Sequence, residues 1–165
     1  MDCKSAPVSD PPAAENEPAL WLGDLQPGQR FVSGSHALDA GQIRAFAAAF
    51  DPQPFHLDAE AARDTLFGGL AASGWHTAAI TMRLMVDGGL PLAGGLIGAG
   101  ADIRWPRPTR PGDVLHVECE VMTVAPSRSH PERGLATVRS LTLNQNGEVV
   151  QDMTSRVVVW RRRPA

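Results

Sequence analysis

Asn146-Gly147 stands between two long runs, Leu135 to Leu143 and Val149 to Trp160, both rich in β-branched and apolar residues. Asn-Gly tolerates the positive φ angles of hairpin turns, so the pair predicts that these runs fold back on each other as antiparallel strands. Upstream, Leu115, Val117, Cys119 and Val121 alternate with His116, Glu118 and Glu120 beyond a Pro111-Gly112 turn. Ile97, Ala99, Ala101, Ile103 and Trp105 alternate with small or polar residues. A period of two with one apolar face marks half-buried antiparallel strands. The second half of the chain is therefore expected to be sheet.

The first half carries helical spacing. Asp39 with Gln42 three residues on forms a capping box, and Ile43, Phe46, Ala47 and Phe50 follow on one helical face. Pro52 predicts an end near Asp51. Asp58 is an N-cap candidate for a short helix through about Thr65, stopped by Gly68-Gly69. From Gly74 to Val86, Trp75, Ala78, Ala79, Met82, Met85 and Val86 share a stripe, while Ile80 and Leu84 lie on other faces and Arg83 is the only charge. That composition predicts a largely buried helix, ended by Gly88-Gly89. A Pro27-Gly28 turn leads into a short first strand from Arg30 to Leu38. A sheet with helices segregated to one face is an α+β architecture.

The 165 residues suit one core. Residues 1–18, rich in Pro, Ala, Ser and acidic side chains, are expected to be a disordered leader, and residues 19–165 one domain. A net charge of −3 offers no positive field for nucleic acid. No stretch resembles a signal peptide or reaches the ~18 apolar residues of a membrane span, so no membrane association is expected. Cys3 and Cys119 suggest neither a disulfide framework nor a metal site, which points to a reducing, cytoplasmic setting. Arg161 to Arg163 reads as a solvated tail.

Chemistry concentrates in Phe50-Asp51-Pro52-Gln53-Pro54-Phe55-His56-Leu57-Asp58. Two prolines stiffen this loop by fixing φ. A carboxylate and an imidazole suit general acid–base work. The same residues have a structural reading, since Asp before Pro starts turns and a histidine is often a hydrogen-bonded core residue. His76 is read as a structural helix residue and Asp58 as an N-cap. Gly94 to Gly100 lacks the spacing of a dinucleotide fingerprint and reads as a strand closely approached by another chain segment. The loop from Ser127 to Gly134 is either a solvated turn or places Arg128 and Arg133 against phosphate groups. No metal-ligand spacing and no Gly-x-Ser-x-Gly nucleophile elbow is present.

The run from Asp51 to Asp58, followed by Ala62, resembles the signature of MaoC-like proteins and (R)-specific enoyl-CoA hydratases, Gly-Asp-x-Asn-Pro-hydrophobic-His. Phe67 to Gly74 is similar to that family's loop into its central helix, and Arg104 to Pro108 and Arg110 to Asp113 to its following strand and turn. The resemblance implies a hot-dog fold, an antiparallel curved sheet wrapped around a long central helix. It implies a fatty-acid-type acyl-CoA thioester as substrate, coenzyme A entering as part of that substrate with no separate cofactor, and a homodimer or higher homo-oligomer. Asp51 would activate the water of a syn hydration, His56 would orient it and help deliver a proton, and the Gly74 amide would polarise the thioester carbonyl. Gln53, Ser73, Arg128 and Arg133 are the expected substrate-binding residues. Phe50 stands where the family has Gly, Gln53 where it has Asn, and Ser73 where relatives often have His. The longer Gln53 amide either supports the catalytic loop or fills the water site. The other functions open to such a fold are an acyl-CoA thioesterase and a non-catalytic acyl-thioester-binding module.

Overall fold

The structure is a computed structural model that describes residues 19–162; the leader expected at 1–18 lies outside them. The elements in chain order are β1 (Arg30–Ala37), α1 (Ala40–Phe50), α2 (Pro54–Leu57), α3 (Gly74–Leu84), β2 (Ile97–Arg104), β3 (Val114–Pro126), β4 (Arg133–Leu143) and β5 (Val149–Trp160). The strands form one five-stranded antiparallel sheet in the order β1-β3-β4-β5-β2. The sheet is curved and α3 crosses it, touching β1, β3 and β5. This is the expected α+β, hot-dog arrangement.

Alternation decides which side chains face the helix. Leu115, Val117, Cys119 and Val121 of β3 and Ala136 and Val138 of β4 are wholly or almost wholly buried. Asn146 and Gly147 close the β4–β5 hairpin through a loop longer than two residues. Gly147 takes φ 74°, and the Asn144 side chain accepts from the amides of Asn146 and Glu148 at 3.0 and 3.1 Å.

The helices depart from expectation in two places. Asp58 does cap, its Oδ1 accepting from the Glu60 amide at 2.7 Å, but residues 59–67 form turns rather than a helix. The helical turn lies earlier instead, at α2, where Pro54 supplies a preset φ at the first position.

The second departure is the face α3 buries. The helix turns His76, Thr77, Ile80, Thr81 and Leu84 inward, and Trp75, Met82 and Val86 are 62%, 44% and 60% exposed. The inward threonines are satisfied from other parts of the chain. Thr77 Oγ1 donates to Thr109 Oγ1 at 2.9 Å, and Thr81 Oγ1 lies 2.6 Å from Thr142 Oγ1. A hydrogen-bonded polar group buries at little penalty, so partners on the sheet and on the loop before β3 let this mixed face pack. Of the expected apolar stripe, Met85 is buried and Ala78 half-buried, while Trp75, Ala79, Met82 and Val86 are left on the surface of the single chain. Beyond α3 the chain makes a wide turn over Met85–Gly89 that ends in the two expected glycines. No helix among the described residues is long and apolar enough to cross a membrane.

Candidate active site

The end of α1 places the first group. Asp51 closes the helix, its amide donating to Ala47 O at 2.9 Å, and Pro52 prevents continuation. The chain then doubles back, with the Gln53 amide donating to Asp51 O at 2.7 Å, and Pro54 starts α2, which carries His56 inward. The stiff loop thus turns Asp51 and His56 toward each other, with Asp51 Oδ2 3.4 Å from His56 Nε2.

The His56 ring is buried and its Nδ1 lies 2.8 Å from the carbonyl oxygen of Ala71. A carbonyl only accepts, so Nδ1 carries the proton and, in the neutral ring, Nε2 presents a lone pair toward Asp51. Gln53 Nε2 donates to Asp51 Oδ1 at 2.6 Å, leaving Oδ2 to face the ring. Of the two readings of Gln53, this geometry is that of a support for the carboxylate. The Asp51 carboxyl is held below the usual carboxylate range, chiefly by a hydrogen bond from the Ser73 hydroxyl, with burial opposing and Gln53 and the His56 ring adding to the effect.

Ser73 also joins this corner to α3. As N-cap its Oγ accepts from the Trp75 amide at 3.2 Å. Gly74 is the first helical residue, and amides in the first turn of a helix have no intrahelical acceptor and point out of the helix end. The Trp105 indole covers the Gly74 Cα so closely that a Cβ there would meet Cε2 at 2.7 Å. Trp105 Nε1 donates to Gln151 Oε1 at 2.9 Å, and Gln151 Nε2 donates to Thr81 Oγ1 at 3.0 Å. A fully buried polar chain therefore fixes the indole. Next to it opens a cleft of about 480 Å³ whose walls include His56, Phe67, Ala72, Gly74, Trp105 and Arg107.

The remaining expected residues fall elsewhere. Arg133 opens β4 opposite Trp160, its guanidinium 5.8 Å from the centre of that indole. Gln151, beside the cleft, and Trp160 lie at opposite ends of β5, about 30 Å apart at ~3.3 Å per residue. Arg128 belongs to the same distant β3–β4 loop. Within one chain the fold does not bring Arg128 or Arg133 to Asp51 and His56; Arg107 is the cationic residue on the cleft. Phe50 is 76% exposed and leans on Phe46, with ring centres 5.1 Å apart. His76 is buried, stacks on Phe46 at 4.5 Å, and its Nδ1 has no hydrogen-bond partner among the described residues. The sequence places Trp105 at the end of an alternating run just before a Pro-rich turn but assigns neither it nor Gln151 to the site.

Fold and site together define a hot-dog protein with a carboxylate–imidazole pair beside the N-terminus of its central helix. Residues 24–144 match the MaoC like domain family, and the chain belongs to that family of hydratases and dehydratases. It is 35% identical over 145 residues to the protein YdeM of Bacillus subtilis (strain 168), covering 86% of this chain and all of YdeM. The crystal structure of a MaoC-like dehydratase from Rhodospirillum rubrum is similar at a TM-score of 0.87 and 63% identity, over 88% of this chain and 100% of that one. The (R)-hydratase PhaJ1 from Pseudomonas aeruginosa is similar at 0.69 and 28% identity, over 87% of this chain and 88% of that one.

Proposed function

We propose that this protein adds water to a 2-enoyl thioester, and in reverse removes it from a 3-hydroxyacyl thioester, with Asp51 and His56 as the acid–base pair. One observation carries this reading: Asp51 Oδ2 lies 3.4 Å from His56 Nε2 while His56 Nδ1 lies 2.8 Å from the Ala71 carbonyl oxygen, so that with the ring neutral the two facing atoms are both acceptors. Such a pair accepts both protons of one water and leaves an oxygen lone pair for attack. The water oxygen bonds to C3 as a water O–H bond breaks toward the pair, and the C2=C3 electrons move onto the thioester. The Gly74 amide stabilises charge on the carbonyl oxygen, because a preorganised donor at a helix N-terminus acts where charge develops. A proton delivered to C2 completes the addition.

The acyl group occupies the cleft between His56 and Trp105, and coenzyme A, entering as part of the substrate, passes Arg107 at the rim. The active form is a homodimer. Met82 meets the exposed edge strand β2 around a hollow of about 290 Å³ lined also by Gly98, Ala101 and Met153, and Trp75 and Val86 are exposed as well. An apolar patch beside an unpaired strand edge is a surface that a second copy covers. Crotonyl-CoA and longer enoyl-CoAs incubated with the purified protein should lose enoyl absorbance. Turnover no greater than that of Asp51→Asn would refute the reading, and release of free thiol in place of hydration would point to a thioesterase.

A further inference from the structure

The acceptor that sets the His56 tautomer belongs to a loop with its own anchor. Arg110 Nη1 donates to the carbonyls of Gly69 at 2.9 Å and Leu70 at 3.2 Å, and Nη2 donates to the carbonyl of Phe67. Gly68 at φ 61° and Gly69 at φ 154° supply the backbone conformations that turn these carbonyls toward one guanidinium. On the far side of Ala71, the Ala72 amide donates to Thr109 O at 2.9 Å. Adjacent residues, Thr109 and Arg110, thus pin the loop on both sides of the carbonyl that His56 uses.

Arg110 is itself held. Its amide donates to Asp113 Oδ2 at 2.7 Å, and Asp113 O accepts from the Leu38 amide at 2.8 Å, at the end of β1. Only a guanidinium reaches three carbonyls in one plane; a lysine ammonium on a flexible stem does not reproduce the fork. Donors on a charged group also make the stronger hydrogen bonds.

We propose that Arg110 is a positioning residue for His56: by holding the 67–70 carbonyls it fixes the Ala71 carbonyl, and through it the ring's direction and its Nδ1–H tautomer. The catalytic consequence rests on the hydratase reading; the tautomer does not. The test uses the full chain with ring-¹⁵N histidine, in wild type, Arg110→Lys and Arg110→Gln. Long-range ¹H–¹⁵N spectra report the tautomer of each of the five histidines, and turnover is measured on crotonyl-CoA. The expected wild-type signal for His56 is a single Nδ1–H form. In both variants it should acquire an Nε2–H population while His116 and His130 keep their wild-type signals. The same variants should lose about tenfold or more in kcat with little change in KM, the size expected of misplaced catalytic geometry. An unchanged His56 spectrum in both variants overturns the proposal, as does a disturbance spread over all the histidines, which is the mark of a general folding role. A His56 tautomer lost on substitution, in a protein that hydrates no enoyl thioester, supports the clamp and removes the hydratase reading.

Discussion

The Trp105 indole closes over the Cα of Gly74, where a methyl group would lie 2.7 Å from Cε2 and 2.8 Å from Cδ2. The ring has little room to retreat, because its Nε1 is tied to the fully buried Gln151. Gly74→Ala is therefore expected to displace Trp105 from the cleft wall. Overpacking of this kind destabilises by about 1–3 kcal/mol, and a misplaced cleft lowers turnover by about tenfold or more. Thermal unfolding, tryptophan fluorescence and the crotonyl-CoA assay check the three effects. Unchanged fluorescence and turnover would mean that the contact is not restrictive.

The Asp51 carboxyl is kept ionised first by Ser73 and then, after the opposing effect of burial, by Gln53 and His56. Removing a donor to a carboxylate raises its pKa. The acidic limb of the kcat/KM profile should then move to higher pH in Gln53→Leu and further in Ser73→Ala. Ser73→Ala also removes a helix cap, a loss of about 1 kcal/mol in stability, whereas Gln53→Leu should leave stability close to wild type. Limbs that stay in place in both variants would show that neither donor tunes the pair.

His76 is buried without a partner for Nδ1, and its pKa is lowered, mainly by desolvation and secondarily by His36. The folded state thus binds its proton less readily than the unfolded chain. The contribution to stability is complete above the ordinary value of 6.5 and is lost as pH falls below it toward the depressed folded value. Chemical denaturation between pH 7.5 and about 5 should show falling stability, with a shallower slope in His76→Gln. Equal slopes in the two proteins would place the pH dependence elsewhere.

Much of this architecture is legible in the sequence because its signals are local. The Asp39–Gln42 box caps α1, with the Gln42 amide donating to Asp39 Oδ1 at 2.8 Å, and the alternation of β3 buries Leu115 through Val121 as expected. Asp51 and His56 are also a local signal, five positions apart on a loop that two prolines bend. What the sequence conceals is long-range pairing. Thr81 is acceptable inside because Gln151 and Thr142 meet it from β5 and β4, and Arg110 matters because it reaches back to Phe67. Periodicity likewise identifies the stripe from Trp75 to Val86 as apolar but does not say whether its own sheet or another surface covers it.

That stripe carries the last prediction. Trp75 and Met82 on α3 and Val86 just beyond its end are exposed large apolar side chains, and every residue of β2 except Ile103 is exposed on the sheet edge. A stable protein–protein interface buries about 1,200–2,000 Å² in total, and a helix face with a full edge strand is of the right extent. A charge placed at its centre is left without water or a partner when two copies meet, which typically costs several kcal/mol. Met82→Glu should therefore convert a dimer into a monomer in sedimentation equilibrium. Because Met82 is 44% exposed in the single chain, the monomer should keep its fold by circular dichroism. If β2 pairs with its copy, amide exchange along residues 97–104 should be slow in the parent protein and fast in the variant. A variant that remains dimeric, or a parent protein that sediments as a monomer, would assign this face to something other than a second copy.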